Sequence, residues 1–110
     1  MSNDTQHWSQ DDFLAFLTIF GACADMDFSE VEKDWIKDRF GEEAFEKGRH
    51  LYKQQSDYEN IQTIMAMKER FFPGDQGHKV LVGTLKKLFS VDHDFSQMEK
   101  LVLRGLEKLI

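Results

Sequence analysis

Apolar residues return along this chain at intervals of three and four, with charged residues between them and short breaks every dozen or so positions. That period predicts helices throughout. In the first of them Phe13, Leu14, Leu17, Phe20 and Ala24 form one stripe, which Phe16 and Ile19 widen, so this helix is expected to be largely buried. Its start is written in Ser9 and Asp12, a capping box in which each side chain satisfies a backbone donor of the other, with Trp8 placed to staple against Phe13. The box recurs as Ser29 with Glu32, opening a second helix with Val31, Trp35 and Ile36 inward. Gly41, just past Phe40, fits the left-handed residue that ends a helix. A third helix, about 42–55, carries Ala44, Phe45, Leu51 and Tyr52. Ser56 with Glu59 opens a fourth, with Ile61, Ile64, Met65 and Phe72 facing the core until Pro73 and Gly74 stop it. A fifth spans about 77–91. Ser96 with Glu99 caps a sixth, where Met98, Leu101, Val102, Leu106 and Leu109 keep helical spacing to the end of the chain.

Two of these joints share a text. Residues 25–33 read DMDFSEVEK and residues 92–100 read DHDFSQMEK, identical at six of nine positions. Each lies between an apolar helix and an amphipathic one, so the repeated unit is a helix, an acidic turn and a helix. The expected architecture is an all-α bundle of about six helices, with two such hairpins around a central pair formed by the third and fourth helices. Residues 1–8 are read as a tail and 9–110 as a single domain.

Charge and composition narrow the function. The chain has 110 residues, 41% of them hydrophobic, enough for one compact core. Its formal charge of −6 argues against nucleic acid and against anionic membrane surfaces, both of which call for Lys and Arg to replace counterions. No apolar run approaches the roughly 20 residues that span a bilayer, and the first residues lack a secretory pattern, so direct membrane insertion is not expected and a cytoplasmic location is. Cys23 is the only cysteine, which rules out an internal disulfide.

The acidic turns hold the most suggestive chemistry. Asp25, Asp27 and Glu32 in the first, with Asp92, Asp94 and Glu99 in the second, supply hard oxygen ligands of the kind calcium or magnesium takes. With Glu32 at the twelfth position of an EF-hand, Met26 falls where glycine is needed and Gly21 and Cys23 fall on the first two ligand positions, so neither copy is an EF-hand. Ser29, Glu32 and Asp27 also stand where a helix N-terminus favours caps and negative charge. Asp25 and Asp92 follow helix C-termini, where a carboxylate is mildly unfavourable, and either a bridging divalent cation or an Asx-turn would offset that. Both readings stand: turn and cap only, or weak binding of a hard cation. Glu43, Glu46 and His50 share one helix face at zinc-ligand spacing, but neighbouring Lys47, Arg49 and Lys53 suit them better as solvated ion pairs. Cys23 sits where the helix dipole disfavours a thiolate and reads as a core residue. Met65, Met67 and Met98 read as core filling rather than as a soft binding surface. There is no nucleophile motif, phosphate-cradling loop or paired cysteine, so enzymatic activity is not expected.

The stretch Ala22-Cys23-Ala24-Asp25 through Glu32, preceded by an apolar helix and echoed near the C-terminus, resembles the signature of the tellurite-resistance TerB-like family. The resemblance covers roughly residues 10–110, with Met26 and His93 standing where the family prefers glycine. It implies an all-helical domain, which also occurs in DjlA-type co-chaperones, although the chain has no His-Pro-Asp tripeptide of a J-domain. It further implies a non-enzymatic role in stress response or as an interaction module with a protein partner, and divalent metal held by acidic residues, here Asp25, Glu32, Asp92 and Glu99.

Overall fold

The computed structural model describes residues 7–24, 29–91, 104, 105 and 108. Among these, five α-helices follow one another without a strand: α1 (Gln10–Ala24), α2 (Glu30–Phe40), α3 (Glu42–Gln54), α4 (Asp57–Phe71) and α5 (Gly74–Phe89). None of them is long and apolar enough to cross a membrane. Arg104, Gly105 and Lys108 have helical backbone and are exposed, whereas the remainder of the expected sixth helix lies outside the described residues.

All three N-terminal boxes written in the described part of the sequence form. Ser9 N–H donates to Asp12 Oδ2 at 3.0 Å while Asp12 N–H donates to Ser9 Oγ at 3.2 Å. Ser29 with Glu32 and Ser56 with Glu59 repeat that exchange, which satisfies backbone donors that a first turn leaves unpaired. Helix ends are handled as specifically. Gly41 closes α2 and opens α3 with φ 98 and ψ 152, so the expected positive φ is present but with an extended ψ, a combination essentially restricted to glycine. Asn60, itself buried, donates its Nδ2 hydrogen to the Tyr52 carbonyl at 3.3 Å, supplying a partner to a last-turn oxygen of α3.

Among the described helices the central one is α1, rather than the expected pair of α3 and α4. It packs against all four other described helices, most extensively α3, and Phe13, Ala15, Phe16, Leu17, Ile19, Phe20 and Ala22 are all buried. Even Thr18 is inside, its Oγ1 donating back to the Leu14 and Ala15 carbonyls at 2.8 and 2.9 Å as a buried hydroxyl must. α1 and α3 approach closely at Gly48, where an added Cβ would stand 3.0 Å from both Cα and N of Phe16. Ring contacts extend the seam: Phe20 meets Tyr52 of α3 edge to face, and Phe13 stacks on Phe71 and leans on Phe72 at the end of α4. Lys47 on α3 reaches Asp12 at 3.4 Å and ties the start of α1 to the same partner.

Several side chains depart from the expected faces. Trp8 packs edge to face on Phe16 at 5.9 Å, one turn beyond Phe13, because Phe13 is engaged by the α4 aromatics. On α2 the inward face is Glu32 and Ile36, with Trp35 partly buried, and Val31 is exposed; the inside positions follow the i, i+4 row of Glu32, which its box rotates inward. On α4 Asn60, Ile64 and Met67 are buried and Met65 is exposed, since Asn60 must face α3 to reach Tyr52 and carries that row with it. The joint at Pro73 is shorter than its composition suggests. Pro73 acts as the N-cap and α5 begins at Gly74, because a first helical turn has no use for the N–H that proline lacks.

The Gly48 contact can be tested against a second helical glycine with open space around it. Gly83→Ala in α5 is expected to raise the unfolding free energy by up to about 1 kcal/mol. Gly48→Ala sets the same gain against overpacking of about 1–3 kcal/mol, and the bulkier Gly48→Val lowers stability outright. Urea unfolding of the three variants measures the difference; equal effects of alanine at 48 and 83 would overturn the close-packed seam.

Candidate functional site

Of the six carboxylates expected to hold a divalent cation, Glu32 alone belongs to the described residues; Asp25, Asp27, Asp92, Asp94 and Glu99 lie outside them. Glu32 is 1% exposed, a burial that nothing in its sequence neighbourhood announces. Its Oε1 accepts the Ser29 N–H at 3.2 Å, and its own N–H donates to Ser29 Oγ at 3.1 Å. The carboxylate thus acts as the N3 member of a capping box at the positive end of α2, where both the backbone donor and the helix dipole stabilise its charge.

The other candidates separate in space. Glu43, Glu46 and His50 are exposed on α3, with Glu46 paired to Arg49 Nη2 at 3.1 Å and Glu43 reaching Lys47 at 4.0 Å, as solvated ion pairs do. Among the described residues no group of three His, Cys, Asp or Glu side chains could hold a metal ion. Met65 is exposed while Met67 is buried, so the two do not share a surface, and Met98 and His93 lie outside the described residues.

A cleft that the sequence did not announce forms where α1, α2 and α3 meet. It encloses about 190 Å³, and its described lining is Ile19 and Cys23 from α1, Lys33 from α2, and Arg49, Tyr52 and Lys53 from α3. Cys23 is half-buried at this rim rather than sealed in the core. Burial pushes its thiol above its ordinary value, with Glu32 adding to the rise, against the lowering effect of a hydrogen bond from Tyr52 and of Lys33 and Lys53. Burial likewise lifts Tyr52 to about 12, helped by the neighbouring Cys23 thiol that its hydroxyl donates to. Both groups therefore stay protonated at neutral pH, and the thiol is a weak nucleophile there. Arg49, Tyr52 and Lys53 stand at i, i+3 and i+4, a spacing that signals a shared face of α3; the contribution of Lys33 and Cys23 depends on the docking of three helices and has no local signature.

No family model matches the chain, and neither do any curated protein or solved structure.

The cleft predicts a pH dependence with a definite sign. Raised values mean that the folded state holds these protons more tightly than the unfolded chain does, so their contribution is complete below the ordinary values of 9.0 for Cys23 and 10.0 for Tyr52. It is lost as pH rises through the folded values. Urea unfolding at a series of pH values is expected to show stability falling from about pH 9 towards 12, with a shallower fall in Tyr52→Phe; an unchanged slope in that variant would contradict the assignment.

Proposed function

We propose that this chain is a non-enzymatic, TerB-like helical module that works through contact with a protein partner in a stress-response setting. The observation that supports the reading is the pair of helices on either side of the acidic sequence at residues 25–28: α1 ends at Ala24, and the Ser29 and Glu32 box fixes where α2 begins. The all-helical frame of the described residues supports it as well. A partner needs apolar anchors on the outside, and α4 offers them in helical register. Tyr58 is 71% and Met65 45% exposed, with Ile61 half-buried between them on the same face.

Cation binding by the acidic turns is the competing reading, and the engagement of Glu32 in a cap removes one oxygen from the ligand set it would need. Two measurements decide. Tyr58→Glu with Met65→Glu is expected to leave the fold intact, since both side chains face solvent, and to abolish capture of the proteins that the wild-type chain retains; a wild type that retains nothing specific sinks the contact reading. Calorimetric titration with calcium or magnesium is expected to be silent. Heat that disappears in the Asp25→Asn, Asp92→Asn double variant would instead identify a cation-binding protein.

A further inference from the structure

The cleft between α1, α2 and α3 has an unusual charge for its setting. In a chain of formal charge −6, its described lining places Lys33, Arg49 and Lys53 around one opening and includes no carboxylate. Two of these cations have carboxylate neighbours, Lys33 with Glu30 at 3.2 Å and Arg49 with Glu46 at 3.1 Å, but Glu30 is 83% and Glu46 52% exposed. The Arg49 pair, exposed on both sides, is weak and a better anion displaces it at little cost, whereas Lys33 keeps further contacts and adds its charge from the side. Lys53 makes no ion pair among the described residues. The floor itself carries no charge at neutral pH, because Cys23 and Tyr52 remain an S–H and an O–H, while the carboxylates of Glu32 and Asp57 act on it from behind the lining.

Size and surface restrict what could enter. The volume of about 190 Å³ is below the 300–1,000 Å³ typical of pockets for drug-sized molecules and matches about six waters at ~30 Å³ each, so the occupant has only a few heavy atoms. Arg49 presents a planar fork suited to two oxygens of one carboxylate or phosphate, with the two ammonium groups adding charge around it. Ile19 and the Tyr52 ring give an apolar wall for a short hydrocarbon body. We infer that this cleft is a binding site for a small organic oxyanion, its carboxylate or phosphate head held by Arg49, Lys33 and Lys53 and its short apolar body against Ile19 and Tyr52. The site is independent of the protein-contact surface on α4, and either can exist without the other.

Cys23 makes the site readable without a label, because it lines the cleft and is the only cysteine in the chain. Its alkylation by iodoacetamide is followed in the full chain at fixed pH and fixed ionic strength, with sodium chloride, inorganic phosphate or butyrate as the added salt. We expect saturable protection of about tenfold at full occupancy. Protection by butyrate alone assigns a carboxylate with an apolar body, and protection by phosphate assigns recognition of the oxyanion head; both support the site. Arg49→Gln with Lys53→Gln is expected to lose the protection, while Lys79→Gln with Lys86→Gln, an equal charge change on α5, keeps it. Backbone amide NMR shifts of wild-type Cys23, Lys33 and Tyr52 on titration with the same salts supply a readout that needs no variant. No protection beyond chloride, or equal loss in both double variants, overturns the inference.

Discussion

The arrangement of the first three helices depends on one contact, the seat of Gly48 on the backbone of Phe16. Where two helices cross with side chains between them, their axes stand roughly 8–10 Å apart. A glycine at the crossing lets α3 lie directly on α1, and the neighbouring positions follow from that. Phe45 and Leu51 enter the core on either side, Tyr52 comes beneath Phe20, and the last turn of α1 is brought beside the last turns of α3. The cleft at Cys23 is a product of this docking. It lies between the ends of α1 and α3, with Lys33 of α2 completing its described lining.

The polar groups of the fold are arranged to permit that packing. A first helical turn leaves backbone N–H groups without intrahelical partners, and serine hydroxyls and carboxylates supply them at the starts of α1, α2 and α4. Asn60 serves the end of α3 from the neighbouring helix, a tertiary cap that couples the two. Glu32 shows how a local signal acquires a tertiary consequence. Its role in the box orients the i, i+4 row of α2, and that row, continuing through Ile36, is the one that enters the core.

Local rules made much of this legible. Helix starts at Ser9, Ser29 and Ser56, the break at Gly41 and the burial of α1 can all be read from spacing and capping chemistry, because those signals act within one turn. Periodicity misleads where a residue has two eligible faces. Val31 and Met65 are apolar and fall near an inward stripe, but the row that enters the core is chosen by Glu32 in one case and by Asn60 in the other, polar residues that hydrophobic periodicity ignores. The identity of the central helix was equally hidden, since it follows from the crossing at Gly48, a residue without a side chain to leave a pattern. For the same reason the cleft was invisible: its lining is drawn from three helices and assembled by their packing. Of the six acidic candidates only Glu32 belongs to the described residues.

A helix enclosed on every side has consequences for how such a chain can change. Nearly every position of α1 from Phe13 to Ala22 touches a neighbour, so a substitution there alters packing whatever its chemistry. Among the described residues, diversification in charge, solubility or choice of partner therefore falls to the outer faces of α2 to α5, while α1 persists as an almost immutable axle. Among divergent descendants of this chain, the buried first helix is the segment by which kinship would stay recognisable longest.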